Sequence, residues 1–194
     1  MDWVWLAVAY LLGSIPSAYI FSGLSGKKIT ETGSGNVGAM NTLRNVGVLA
    51  GVATVLVDLG KGAAAVWLAR RFGSDLTAAW AAVAAIVGHN YMLFLRFRGG
   101  KGLATGAGAF LLLSPPSILW ALVILVAAAL ILRDANVGAA TAAAAFPFVM
   151  GRVEGAGPWF WVGLAAAILV LIKHQRDFVA YRAGRRELWG GPRS

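Results

Sequence analysis

Cysteine is absent from this sequence, and acids are scarce: eight Asp and Glu in 194 residues. No disulfide can form and no thiolate can attack a substrate. Charged residues of all kinds make up 13%, about half of what a soluble globular domain carries, while 59% of the chain is apolar. That balance excludes a soluble domain and points to an integral membrane protein. No polar stretch is long enough for a second domain, so residues 1–194 read as a single membrane domain. No stacking aromatics alternate with the basic residues, so nucleic acid is not an expected partner. The first apolar block has neither a basic leader nor a small-residue cleavage site after it, and reads as a retained span.

What the chain has instead is a succession of apolar blocks, at about 3–21, 47–69, 76–95, 103–113, 117–132, 136–150 and 158–172. A span needs about 20 residues, so the first three qualify easily and the last three need local thinning or shielded ends. The block at 103–113 rises only about 17 Å before it meets Ser114-Pro115-Pro116-Ser117. Charge decides whether it crosses. With seven spans and the amino terminus outside, the cytoplasmic side holds Lys27, Lys28, Arg44, Arg96, Arg98, Lys101, Arg133, Lys173, Arg176, Arg182, Arg185, Arg186 and Arg193. Only Arg70, Arg71 and Arg152 lie outside, with Lys61 inside a span. Fusing 103–132 into one kinked span leaves 7 inside against 9 outside. The positive-inside rule selects an all-α bundle of seven transmembrane helices, several of them short, with a cytoplasmic carboxyl terminus. The net charge of +9 then reflects this bias and attraction to anionic lipid. Small-xxx-small spacing, as in Gly47–Gly51 and Gly102–Gly106, predicts close helix packing.

Three polar segments interrupt the apolar pattern. The first, Thr32 to Arg44, carries Gly33, Gly35 and Gly38 at dinucleotide-fingerprint spacing, but no βαβ unit surrounds them and the match is spurious. Ser34, Asn36, Asn41 and Thr42 offer uncharged hydrogen bonds, and Arg44 a bidentate fork for phosphate. The second is Arg98-Gly99-Gly100-Lys101-Gly102-Leu103-Ala104-Thr105. Glycines let backbone N–H groups crowd an anion, the lysine adds a point charge, and a helix start adds its positive end. The lysine is followed by Gly102 rather than Ser or Thr, so this is no Walker A loop and an ATPase is not expected. The third is the tail, where His174 and Asp177 stand three apart on one helix face. All three segments fall on the cytoplasmic side of the seven-span topology, which predicts one site able to neutralise phosphate. Inside the second span, Asp58 and Lys61 at i, i+3 read as an internal ion pair supporting that site, with His89 near the end of the third. Arg133-Asp134 reads as a surface-level pair.

These segments resemble the bacterial acyl-phosphate-dependent glycerol-3-phosphate acyltransferase family over almost the whole chain. The resemblance rests on Gly13-Ser14-Ile15-Pro16-Ser17, the run Gly33 to Arg44, Asp58-Leu59-Gly60-Lys61-Gly62, Gly88-His89-Asn90, Phe94, Phe97 and Gly99 to Thr105. It implies a seven-helix enzyme of the bacterial cytoplasmic (inner) membrane, working in phospholipid biosynthesis without a cofactor or metal. Such an enzyme moves an acyl group from acyl phosphate to the first hydroxyl of glycerol 3-phosphate, giving lysophosphatidic acid and phosphate. It implies Ser34, Arg44, Lys101 and His174 as candidate catalytic residues. Asn36, Asn41, Thr42, Gly99, Gly100, Gly102, Thr105 and Asp177 are the candidate substrate contacts. The bilayer and the two substrates are the expected partners, with no obligate protein partner.

The chain departs from the family pattern at several positions. Met40 stands for a usual Thr, Met92 for a common Pro, and Asp177 for Asn. The segment Asn136-Val137-Gly138-Ala139-Ala140 replaces a serine-rich one, and Arg186 stands where a late Glu is usual, with Glu187 one place off. An acyl phosphate is already activated, so positioning and charge neutralisation are the main requirements. Direct attack by the substrate hydroxyl is the expected route, with an acyl-enzyme on Ser34 as the alternative. A transporter for an anionic metabolite would also use glycines and cations near broken helices, but it calls for inverted repeats, which the sequence does not display.

Overall fold

The computed structural model describes residues 2–184. Among these residues there is no strand. The helices are α1 (Asp2–Gly13), α2 (Ser17–Leu24), α3 (Ala39–Asn45), α4 (Val48–Phe72), α5 (Asp75–Asn90), α6 (Leu103–Leu113), α7 (Pro115–Leu132), α8 (Ala135–Val153) and α9 (Pro158–Arg182). Short 3-10 turns occupy Ile29–Glu31 and Leu93–Leu95. Arg185, Arg186, Glu187 and Arg193, which enter the charge count and the family pattern, lie outside the described residues. Among the described residues, five helical stretches are long and apolar enough to cross a membrane: Asp2–Leu24, Val48–Phe72, Asp75–Leu95, Pro115–Leu132 and Pro158–Arg182. The protein is an all-α integral membrane protein. Its helices fall into two compact units, one ending at Leu113 and one beginning at Ser114.

In the first unit α5 is the central helix. It is rich in alanine, with Ala78, Ala79, Ala81, Ala82 and Ala85 all buried, and packs against α1, α4 and α6. Small side chains let several helices approach one axis where no hydrophobic force between helices operates. The close crossing between α4 and α6 uses glycines outside the pairs that spacing singled out. A Cβ on Gly62 would stand 2.0 Å from the Thr105 carbonyl oxygen, and one on Gly108 2.0 Å from that of Leu59. Gly51 does meet Leu43 of α3, whereas Gly47 has nothing within 4 Å of a Cβ position. The short α6 has its final turn held beside that of α4, where Arg70 donates to the Leu112 carbonyl at 2.9 Å.

The first apolar block is not one rod. Pro16 has no N–H to donate and biases Ile15 away from helical geometry, so α1 stops and α2 starts afresh. At the break the Ile15 carbonyl accepts from the Ser17 N–H at 3.0 Å and from Lys61 at 2.9 Å. The first unit also contains α3, a seven-residue polar helix that hydropathy does not reveal.

In the second unit α8 packs against both α7 and α9. Only Ser117 and Ala129 of α7 are buried, and Leu119, Trp120, Leu122, Val123 and Leu130 point outward. Such a surface fits lipid and not water. The expected Arg133–Asp134 pair does not form. Asp134 is fully buried and caps α8 instead, accepting from the N–H groups of Asn136 at 2.8 Å and Val137 at 3.0 Å. Unpaired N–H groups at a buried helix start draw the carboxylate more strongly than a neighbouring guanidinium that solvent can satisfy. The chain separates α6 from α7 at Ser114, with Pro115 and Pro116 in the first turn of α7, where a missing N–H costs nothing. Ser114 lies 2.7 Å from Ser117 Oγ and donates to Glu154.

Candidate active site

The loop before α3 is organised by Asn41. Its side-chain amide donates to the carbonyls of Thr32 at 2.9 Å and Asn36 at 3.0 Å. Its oxygen accepts from the Ser34 N–H at 3.2 Å and from Asn45 Nδ2 at 2.9 Å. Two donors and two acceptors are the full capacity of an Asn, and the loop uses all of them. Thr42 is likewise turned inward, fully buried and donating to the Gly38 carbonyl at 3.1 Å. Ser34 stands exposed at the loop surface, with its Oγ 3.4 Å from the Asn36 N–H. Arg44, in the last turn of α3, is exposed too.

The glycine loop wraps the carboxyl-terminal end of α5. The Gly100 N–H donates to the His89 carbonyl at 3.1 Å. A Cβ on Gly99 would stand 2.2 Å from that same oxygen, and one on Gly100 2.2 Å from His89 Nε2. Gly102 adopts φ +81°, the left-handed region, against Asn90 and Ile86. These glycines are required to let the backbone lie on the helix end. The Val37 carbonyl oxygen would be 2.7 Å from a Gly100 Cβ, so the structure brings the Ser34 loop and the Lys101 loop into contact. Lys101 is half-buried. Thr105 is fully buried beneath the loop, its Oγ1 3.1 Å from His89 Nδ1.

Below these loops lies a buried polar cluster. Lys61 pairs with Asp58 at 2.8 Å, each side chain 2% exposed. Ser17 donates to the same carboxylate at 2.7 Å, and His89 Nδ1 lies 3.5 Å from it. Beside the loops, Thr30, Phe94, Leu95, Arg96 and Arg98 line a groove of about 270 Å³. Arg96 and Phe97 both take left-handed backbone angles, φ +52° and +62°.

In the second unit, α9 carries His174 and Asp177, both buried. His174 Nδ1 lies 2.8 Å from the Val170 carbonyl. A carbonyl can only accept, so Nδ1 bears a proton and a neutral ring presents Nε2 as an acceptor. Among the described residues no group of three His, Cys, Asp or Glu could hold a metal.

The sequence pattern of the glycerol-3-phosphate acyltransferase family matches residues 3–184. The chain belongs to that family. It is 41% identical to the glycerol-3-phosphate acyltransferase of Geobacter sulfurreducens over 179 residues, 92% of each chain. It is also 41% identical to glycerol-3-phosphate acyltransferase 2 of Moorella thermoacetica, over 95% of this chain and 96% of that one. Among solved structures it resembles PlsY, an integral membrane glycerol 3-phosphate acyltransferase, in its glycerol 3-phosphate form. There the TM-score is 0.89 at 27% identity, covering 100% of this chain and 96% of that one. The lysophosphatidic acid form of PlsY gives a TM-score of 0.85.

For a membrane glycerol-3-phosphate acyltransferase, the first unit supplies the polar donors that phosphate chemistry calls for. Two polar loops meet at Val37 and Gly100 over a buried charge cluster. Sequence reasoning identified Asp58 with Lys61 but not the link from Asp58 through His89 to the glycine loop. An ionisable residue at membrane depth was the available signal. The partners of His89 include Asp58, Gly100 and Thr105, which only helix packing brings to it. No local pattern encodes them.

Proposed function

We propose that this acyltransferase takes its acyl group from acyl phosphate and delivers it to the first hydroxyl of glycerol 3-phosphate. The hydroxyl oxygen bonds to the acyl carbonyl carbon, the carbon–oxygen bond to phosphate breaks, and inorganic phosphate leaves. The hydroxyl proton passes to a phosphate oxygen of substrate, which suits a chain so poor in bases. Lys101 and the N–H groups of Gly99, Gly100 and Gly102 hold one phosphate, and Arg44 neutralises the other; His174 serves phosphate only as an imidazolium, donating from Nε2. Ser34 orients the hydroxyl or carbonyl, and Asn36 lines the same loop. Asn41, Thr42 and Thr105 shape the loops from within. Asp177 sits in a position where an Asn is usual and modulates acceptor binding. The site faces the cytoplasm of a bacterial inner membrane.

The likeness to the glycerol 3-phosphate form of PlsY over the full chain is the observation that carries this reading. The contact between the Ser34 and Lys101 loops supports it. Purified full-length protein is expected to release phosphate from palmitoyl phosphate only when glycerol 3-phosphate is added, with one lysophosphatidic acid formed per phosphate. Ser34→Ala and Lys101→Ala should each lower turnover by about 100-fold or more. Phosphate release without acceptor, or an acyl-protein adduct trapped in a single turnover, would count against direct transfer.

A further inference from the structure

We propose that His89 is a positioning residue of the acyl transfer reaction, fixing the backbone of Gly99-Gly100-Lys101 without touching substrate. The inference rests on the reading of that loop as a phosphate grip. His89 is 3% exposed, and its ring meets side chains of two other helices at once. Thr105 Oγ1 of α6 stands 3.1 Å from Nδ1, and Asp58 Oδ1 of α4 stands 3.5 Å from the same nitrogen. Asp58 is in turn fixed by Ser17 at the head of α2 and by Lys61, and Lys61 by the Ile15 carbonyl. A carboxylate facing Nδ1 favours the tautomer with its proton there. Nε2 then faces Gly100, so close that a methyl group there would stand 2.2 Å from it. The His89 carbonyl grips the other side of the turn, accepting from the Gly100 N–H at 3.1 Å. Ring and carbonyl of one residue therefore bracket the glycines that precede Lys101. Thr105, at the start of α6, is the strut that keeps the ring from turning. Loss of the strut lets the loop drift, and a drift of about 1 Å at a phosphate-binding group can cost up to about 100-fold.

The test uses full-length protein in phosphatidylcholine nanodiscs, with Thr105→Val, Thr105→Ser, His89→Ala and Lys101→Ala beside the wild type. Binding of glycerol 3-phosphate and of palmitoyl phosphate is measured for each, together with KM, kcat and thermal midpoint. Thr105→Val is expected to weaken the same ligand that Lys101→Ala weakens, by about tenfold, and to lower kcat in the same direction as Lys101→Ala, with the thermal midpoint near wild type. Thr105→Ser, which keeps the hydroxyl, should restore binding. If Lys101→Ala weakens a ligand and Thr105→Val weakens none, His89 positioning is overturned. The same holds if Thr105→Val and Thr105→Ser lose thermal stability and activity together. If Lys101→Ala weakens neither ligand, the phosphate-grip reading itself fails. His89→Ala should match Thr105→Val or exceed it; should it not fold, Thr105→Val decides alone.

Discussion

Asp58 and Lys61 sit in the middle of a 25-residue helix with side chains 2% exposed, and burial on that scale is tolerable only with partners on every side. A carboxylate and an ammonium taken from water each lose several kcal/mol of solvation, which their attraction and hydrogen bonds must offset. Here Ser17, His89 and the Ile15 carbonyl complete the set. Asp58→Ala leaves Lys61 buried without its counter-charge, and a loss of about 3–5 kcal/mol is expected. Thermal unfolding in detergent should show this as a large fall in midpoint. Replacing both residues by apolar ones of similar size should lose less than Asp58→Ala alone, and a larger loss in the double variant would refute the pairing. The i, i+3 spacing made this pair legible from sequence. Asn41 was legible only as a residue type. Its amide looked available for substrate, but the partners that occupy it include Thr32 and Asn36, nine and five positions back, which only the folded loop brings together.

Helix boundaries were readable where breakers stand between apolar runs, as at Ser114-Pro115-Pro116, and obscured where hydropathy runs straight through a break. Residues 3–21 average as one span although Pro16 divides them, because apolar content is high on both sides of the proline. Helix contacts were legible in kind, as glycine-rich spans, but not in place. Spacing alone cannot tell Gly60, with nothing within 4 Å of a Cβ, from Gly62, whose Cβ would strike the Thr105 carbonyl. That difference gives a comparison within a single turn of α4. Gly62→Ala and Gly108→Ala must push α4 and α6 apart and should each cost about 1–3 kcal/mol or more. Gly60→Ala meets no obstacle and should hold or raise stability by up to about 1 kcal/mol. The readout is the unfolding midpoint of each variant, and equal effects at Gly60 and Gly62 would show that the crossing is not tight. Because Gly62 faces Thr105, its alanine variant should also disturb the His89 contact and reduce activity, whereas Gly108→Ala should act mainly on stability.

The membrane topology of the chain rests on whether α6 and α8 cross. Neither is among the five stretches long and apolar enough to span on length and composition, yet the distribution of Lys and Arg calls for both. With all seven segments crossing, thirteen basic residues lie on the cytoplasmic side and three outside; without α6 as a separate span, the counts are 7 and 9. A short helix can cross where neighbours cover its ends, and Arg70 on the Leu112 carbonyl provides such cover for α6. Because the chain contains no cysteine, single introduced cysteines report sidedness without background. Lys28, Asp75, Arg98, Pro116, Arg133 and Ala156 are all exposed in connecting segments or first helical turns. In intact spheroplasts a membrane-impermeant maleimide should label Asp75→Cys, Pro116→Cys and Ala156→Cys. It should reach Lys28→Cys, Arg98→Cys and Arg133→Cys only after permeabilisation. Labelling of Arg133→Cys from outside together with protection of Ala156→Cys would mean that α6 does not cross. His174 would then lie on the opposite side from Lys101, and a single cytoplasmic site using both would be impossible. The sidedness of Arg133 thus bears on the chemistry as directly as any substitution in the loops, since it decides whether His174 can share a face with Lys101.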